Sequence, residues 1–292
     1  MSIKILVLGS TGMLGYMVSE VLSREKVFTV CGTHILNRTD LFYFDVEEGL
    51  EKLGLIYREN GGYDYVINCI GITADKINLS LSSSLIKAIK LNSLFPHQLA
   101  EFALQKNIRV IHISTDGVFS GGAQSYDEDD PHDCTDAYGK TKSLGEVTSE
   151  KFLNIRCSVL GPSPFEKRGL FEWFRSRPEG SVVSGYTNHV WNGVTTFQFV
   201  ELCREIIKND QFDCLRKESS VFHFAPNHPV SKYELLIILR DVLDKNITIN
   251  PVEHSSGAVK RILVTKYRGL KGIYGQDSSI ENAIRQLIEF VK

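Results

Sequence analysis

Ile3-Lys4-Ile5-Leu6-Val7-Leu8-Gly9-Ser10-Thr11-Gly12-Met13-Leu14-Gly15 decides the fold. Ile3–Leu8 is a short apolar run, suited to a strand buried on both faces. Met13–Ser23 has helical spacing, with Leu14, Met17, Val18, Val21 and Leu22 along one side. Between the two stand glycines at every third position. Glycines let a backbone turn tightly and approach a pyrophosphate, and the N-terminus of the helix offers free N–H groups to an anion. A glycine triplet alone is also what a plain tight turn needs. The strand-turn-helix setting favours the dinucleotide, with Gly9, Thr11, Gly12, Met13, Leu14 and Gly15 as its contacts.

Outward from this unit the alternation repeats. Val27–Thr33, Asp64–Ile70, Ile108–Ser114 and Phe152–Cys157 read as strands. Glu47–Arg58, Phe95–Lys106 (with Pro96 near its start) and Tyr138–Glu150 read as helices. Strands separated by helices imply a parallel sheet with right-handed crossovers, hence an α/β doubly wound architecture. After Gly161-Pro162-Ser163-Pro164 the pattern changes. Phe197–Lys208, Ser231–Leu243 and Ile280–Val291 are helices among short strand candidates. Residues 1–160 are therefore expected to form the dinucleotide-binding domain. Residues 161–292 are expected to form mainly a smaller substrate lobe, with segments returning to the first domain. The acidic stretch Asp127–Asp136 reads as a solvated loop.

Bulk properties narrow the function. The chain has 292 residues, 42% hydrophobic, and a formal net charge of -2. That balance argues against nucleic-acid and polybasic membrane partners. No apolar run is long enough for a bilayer. Met1–Leu8 lacks a basic leader and a cleavage site, so a cytoplasmic location is expected. Cys31, Cys69, Cys134, Cys157, Cys203 and Cys214 are scattered without a CxxC spacing, and the eight histidines form no HxxxH pair. Buried free thiols are expected, and neither a disulfide framework nor a metal.

The strand ends supply further contacts. An acid about 20 residues after the glycine loop would favour the free ribose of NAD. None stands at Gly32-Thr33-His34, while Arg38 suits a 2′-phosphate. The cofactor is thus expected to be NADPH. Arg38 as an ordinary loop cation leaves NADH open. Asp45, Val46, Cys69, Ile70 and Gly71 lie where later strands end, at the ligand-binding edge of such a sheet.

Tyr138 and Lys142 are one helical turn apart on one face. An ammonium near a phenol stabilises the phenolate and lowers its pKa from about 10. Such a tyrosine exchanges a proton with a carbonyl or alcohol near neutral pH. Thr115, at a strand end, offers a hydroxyl to the same oxygen. An exposed Tyr/Lys pair is common on helices. Its combination with the glycine motif and the Ser114-Thr115 strand end is what makes it specific.

Gly9–Gly15, Ser114-Thr115-Asp116-Gly117-Val118-Phe119 and Tyr138-Gly139-Lys140-Thr141-Lys142-Ser143-Leu144-Gly145-Glu146 resemble the extended short-chain dehydrogenases/reductases of the dTDP-4-dehydrorhamnose reductase family. The likeness continues through Tyr126, Glu128, Asp130 and Pro131, then Asn154-Ile155-Arg156, Gly169–Phe174, Trp191–Thr196 and Ser231–Leu235. It covers nearly the whole chain. The later segments look closest to the branch acting on UDP-linked 4-keto-6-deoxy-N-acetylhexosamines. The resemblance implies a Rossmann-type sheet with a smaller substrate lobe. It implies reduction of a nucleotide-linked 4-keto-6-deoxy sugar, in deoxysugar and surface polysaccharide biosynthesis. Thr115, Tyr138 and Lys142 would be catalytic. Thr115, Asp116, Trp191 and Asn192 would bind the substrate, and Tyr138 and Lys142 would also touch the cofactor. A homodimer is left open.

Gly117 departs from the family, which usually carries a second tyrosine there. Asn92 matches the family's asparagine that supports the active site, or is an N-cap. His189 is a further candidate for the sugar or nucleotide, and His223 reads as a core histidine. Three rival readings stand beside the reductase. One is an epimerase or dehydratase on the same scaffold, against which Asp116 is followed by Gly117 and not by Glu. Another is a non-catalytic NADP-binding regulatory subunit like that of methionine adenosyltransferase, which needs no Thr115/Tyr138/Lys142 set. The third is a reductase of an unrelated carbonyl compound.

Overall fold

The computed structural model describes residues 2–35, 40–274 and 278–292. Its strands are β1 (Ile3–Leu8), β2 (Phe28–His34), β3 (Phe42–Tyr43), β4 (Tyr65–Asn68), β5 (Arg109–Thr115), β6 (Phe152–Cys157), β7 (Val159–Leu160), β8 (Val182–Tyr186), β9 (His189–Trp191), β10 (Val194–Thr195), β11 (Val221–His223), β12 (Val230–Ser231), β13 (Thr248–Val252) and β14 (Val259–Arg261). The helices are α1 (Met13–Leu22), α2 (Glu51–Glu59), α3 (Ser82–Ile89), α4 (Phe95–Lys106), α5 (Ala137–Leu144), α6 (Gly169–Arg175), α7 (Thr196–Lys208), α8 (Phe212–Glu218), α9 (Lys232–Val242), α10 (Arg268–Tyr274) and α11 (Ile280–Val291).

The main sheet has seven strands in the order β11-β6-β5-β4-β1-β2-β3. Every pairing in it is parallel, as the strand–helix alternation predicts. Side chains of a strand alternate between faces. Ile5 and Val7 join Ile67, Ile111 and Ile155 in a core with α1, α7 and α11. Leu6 and Leu8 join Val66 and Val110 in another, with Leu53 and Ile56 of α2 and Leu99 and Ala103 of α4. Full burial of each large aliphatic side chain contributes about 1.5–3 kcal/mol. Strand order reverses between β1 and β4, so the crevice at their C-terminal ends is the place for a ligand in such a sheet. Three small sheets, β10-β7, β12-β9-β14 and β13-β8, are built mainly from the second half of the chain.

Two expected helices need correction. The helix expected at 138–150 ends at Leu144; Gly145 leaves the helical backbone at φ -90, ψ 1, and its N–H turns to Lys142 O. The helix expected at 47–58 is broken into a 3-10 turn at Val46–Glu48 and α2, with Gly49 at φ 91 between them. The helix at 95–106 has the expected bounds, but the chain is already helical from Ser82, which the sequence reading missed. The two helices join through a π-turn, Lys90–Leu94, in which Phe95 N–H donates to Lys90 O. Pro96 lacks the N–H that would serve the Asn92 carbonyl, which accounts for the widening.

The acidic stretch is also more than a solvated loop. Glu128 is buried. Its carboxylate accepts the His223 N–H at 2.9 Å, the Thr265 hydroxyl and the Lys266 N–H at 3.1 Å. Asp136 caps α5 by accepting the Gly139 N–H at 2.9 Å.

Candidate active site

The glycine loop fits a dinucleotide's diphosphate. Gly9 has φ 80, and a β-carbon on Gly15 would lie 2.2 Å from Gly9 O, so the turn admits only glycine there. Ser10 N–H donates to Thr33 O at 2.8 Å and Gly9 N–H to the Thr33 hydroxyl at 3.1 Å, which stitch the loop to β2. Gly12 caps α1 and makes no side-chain hydrogen bond to the N–H groups of its first turn. Those groups suit an anion. Thr11 and Met13 are half-buried in the loop, while Leu14 is buried. Ile70 and the Cys69 carbonyl carbon lie against Gly9, so the end of β4 borders the same crevice. Gly71 sits beside Asn92 Oδ1. Asp45 spends one carboxylate oxygen on the Glu47 N–H at 2.9 Å, and Val46 begins that turn. Arg38 and its neighbour Asn37 lie outside the described residues.

Thr115 and Tyr138 come together as their roles require. The Thr115 hydroxyl and the Tyr138 ring both lie against Gly117; the Thr115 oxygen accepts the Gly117 N–H at 3.0 Å and its hydroxyl donates to Asp116 Oδ1 at 3.4 Å. A β-carbon on Gly117 would lie 3.0 Å from the Tyr138 ring, so the departure from the family pattern leaves that ring uncrowded. Asn92 is no N-cap. It is buried, accepts the Ile72 N–H at 2.8 Å, and donates to Ile72 O at 3.0 Å and the Thr141 hydroxyl at 3.1 Å. It thus ties α5 to the loop after β4.

One electrostatic expectation fails. The Tyr138 phenol is not lowered but pushed up to about 12, mainly by burial, against the influence of the neighbouring Thr115 hydroxyl, with Asp116 and Cys157 adding to the rise. Lys142 Nζ instead donates to the Ile113 carbonyl at 2.7 Å and faces His112 Nε2 at 3.4 Å. Burial lowers this lysine to about 8. The i,i+4 rule put the pair on one face correctly, but it could not see what lies beneath.

The lobe side is more crowded than the sequence shows. Burial raises the Asp116 carboxyl, opposed by the charges of Arg261 and Lys232. Lys232 Nζ sits 5.0 Å over the ring of Trp191, whose Nε1 is buried with no hydrogen-bond partner among the described residues. Asn192 is committed elsewhere: its amide donates to Leu263 O at 2.8 Å and accepts the Leu263 N–H at 2.9 Å. It therefore anchors the 263 segment, and its two amide atoms are not free for a sugar. His189 packs between Tyr186 and His254, with ring centroids 5.1 and 4.9 Å away. His223 is a satisfied core histidine, donating from Nδ1 to Val264 O at 2.8 Å while Nε2 meets Arg156 at 3.1 Å.

Sequence reading missed Lys232, Arg261, His112 and the pair of Glu146 with Arg156. Arg156 holds both Glu146 oxygens at 2.8 and 2.7 Å, and Ser114 donates to the same carboxylate at 2.5 Å. The sequence signs of Lys232 are its place in the Ser231–Leu235 segment of the likeness and the capping box Ser231–Glu234 that begins α9. Among the described residues no group of His, Cys, Asp and Glu could hold a metal, and no helix is long and apolar enough to cross a membrane.

Comparison with known proteins follows this geometry. The family described as RmlD substrate binding domain matches residues 3–261. A segment of 85 residues is 39% identical to the spore coat polysaccharide biosynthesis protein SpsK of Bacillus subtilis (strain 168); it spans 28% of this chain and 29% of that protein. The structure resembles a dTDP-4-dehydrorhamnose reductase, an RfbD ortholog, from Clostridium acetobutylicum at TM-score 0.76 and 21% identity, covering 99% of each chain. It resembles that of Bacillus anthracis in complex with NADP at TM-score 0.80 and 16% identity, covering 100% of each. A dTDP-glucose 4,6-dehydratase of Bacillus anthracis in complex with NAD follows at TM-score 0.73 and 14% identity, covering 99% of this chain and 96% of that one.

Proposed function

We propose that this chain, which belongs to the RmlD substrate binding domain family, reduces the C4 keto group of a nucleotide-linked 4-keto-6-deoxy sugar. It is an NAD(P)H-dependent oxidoreductase, with NADPH as the expected reductant and NADH as the alternative. The observation that carries the reading is the placing of Thr115 and Tyr138 side by side against Gly117, at the strand edge that also bears the glycine cradle. A dinucleotide held by the glycine loop would supply the hydride. Thr115 holds the C4 oxygen. Tyr138, with its phenol near 12, is protonated at neutral pH and is the acid that reduction needs. Lys142, one turn along α5, would touch the cofactor.

In this reading residues 1–160 hold the dinucleotide, and residues 161–292 mainly shape the sugar pocket from Asp116, Trp191 and Lys232. Asn192 shapes it indirectly through Leu263. Location in the cytoplasm, work in surface polysaccharide assembly and a homodimeric state belong to the same proposal. The test is incubation with NADPH and dTDP-, UDP-, GDP- and CDP-linked 4-keto-6-deoxy sugars, with and without an N-acetyl group at C2. Cofactor oxidation with one nucleotide class is expected. No oxidation with any of them overturns the substrate class.

A further inference from the structure

Two buried side chains beneath the site, Asn68 and His112, lead to Lys142 and have no role in the reading above. Asn68, the last residue of β4, has no solvent exposure. Its Oδ1 accepts the Ile70 N–H at 3.1 Å, which fixes the direction of the amide. Its Nδ2 therefore faces His112 Nδ1, 3.0 Å away. An amide nitrogen offers only hydrogens, so Nδ1 must accept. Neutral His112 then carries its proton on Nε2, the atom that faces Lys142 Nζ at 3.4 Å. Lys142 also donates to the Ile113 carbonyl.

This arrangement distinguishes the two forms of the lysine. An ammonium would set N–H against N–H. A free amine keeps its bond to Ile113 and turns its lone pair to the imidazole N–H. We propose that His112 is a positioning residue that biases Lys142 towards the free amine, so that the lysine exchanges a proton near neutral pH and is not a permanent cation. The proposal rests on Lys142 belonging to the catalytic group, but its test does not.

The other groups around Lys142 do not supply this bias. Glu146, on its own helix, favours the ammonium, yet both its oxygens are held by Arg156. Cys69 beyond β4 and Cys157 on β6 favour it too, but burial raises both thiols and keeps them uncharged. Tyr138, one turn earlier, stays a neutral phenol. Burial and the imidazole N–H oppose the ammonium. Imidazolium cannot form instead: burial and the Lys142 charge hold His112 well below its usual range, and a proton on Nδ1 would meet the Asn68 amide. Once the substrate is known, the consequence to look for is an alkaline limit on turnover where Lys142 loses its proton.

The experiment is a 13C NMR titration of protein labelled at lysine Cε, with the Lys142 signal assigned by its loss in Lys142→Met. The wild type should titrate near 8. His112→Gln replaces the N–H with an amide whose oxygen can accept from the ammonium, so the midpoint should rise by at least about half a unit. Asn68→Asp accepts a proton from Nδ1 and frees the Nε2 lone pair, so it should raise the midpoint as well. Its added charge alone would do the same, and the double variant separates the two causes. Acting through the imidazole, Asn68→Asp should lose most of its effect in the His112→Gln background. An unmoved or lower midpoint in His112→Gln, or an Asn68→Asp shift that persists at full size in the double variant, overturns the proposal. A second measurement needs no variant. Long-range 1H–15N spectra of the wild type should show His112 as the Nε2–H tautomer, and an Nδ1–H tautomer equally overturns the idea. A protein that passes these tests yet reduces none of the sugars refutes the proposed function and leaves this inference standing.

Discussion

The carbonyl oxygen of Asn92 faces the bare α-carbon of Gly145, so closely that an added β-carbon would lie 1.8 Å from it. Gly145 has φ -90, which any residue adopts, so the requirement for glycine is steric alone. The carbonyl belongs to the π-turn before Pro96, and Asn92 also clamps Ile72 and Thr141. Neither backbone can shift without disturbing the catalytic helix. Gly145→Ala should destabilise by about 1–3 kcal/mol or more, as overpacking does. Urea unfolding measures it. A midpoint equal to that of the wild type would show that the contact is softer than its geometry.

Tyr138→Phe should remove about two to four powers of ten of turnover, the typical contribution of a general acid. Cofactor affinity should stay nearly unchanged, because the glycine loop and the α1 N-terminus are untouched. Steady-state kinetics and dinucleotide fluorescence titration separate the two. Turnover near the wild-type level sinks the assignment of the acid.

The pair of Glu146 and Arg156 predicts a pH-dependent stability. Burial alone would raise the Glu146 carboxyl, but the bonds and charge of Arg156, with Ser114, outweigh it and hold the carboxyl below its usual range. A depressed folded-state pKa contributes stability above the unfolded carboxylate value, lost as pH falls through the folded one. Arg156→Met strands a buried charge and should cost about 3–5 kcal/mol at pH 7. Protonation relieves that stranded charge. The difference between variant and wild type should therefore shrink towards pH 4, and denaturant unfolding at both pH values checks it. A difference that does not change with pH contradicts the argument.

Reduction should proceed without epimerisation. Removing a proton beside the ketone needs a base against the ring, and Gly117 has no side chain to serve. Asp116 is the nearest acid, but its Oδ1 already accepts the Thr115 hydroxyl at 3.4 Å. His189 packs among Tyr186 and His254. Reaction in D2O with NADPH should leave C3 and C5 of the product free of deuterium. Stable label at either carbon, absent without enzyme, would make the chain an epimerase-reductase with Asp116 as the first suspect.

Much of the fold could be read from the chain because its signals are local. The apolar run Ile3–Leu8, the glycines at 9, 12 and 15 and the helical stripe after them act within a few residues of one another. Strand–helix alternation then allows few topologies, and the seven parallel strands are among them. Tyr138 and Lys142 share a face because helices have a fixed period. The masses of α3 and the π-turn escaped notice, since Ser82-Ser83-Ser84 reads as loop and Pro96 as a beginning.

What each side chain does at the site was decided only by the tertiary structure. Asn192 looked like a substrate contact, but Leu263, 71 residues later, takes both its amide atoms. The acids at 127–136 looked solvated, but Glu128 is drawn inside by His223, Thr265 and Lys266. Lys142 was expected to lower the Tyr138 phenol, but burial raises the phenol while His112 and Ile113 occupy the lysine. Hydrogen-bond partners and desolvation come from segments far apart in the chain, and neither leaves a periodic mark in the residues that will meet.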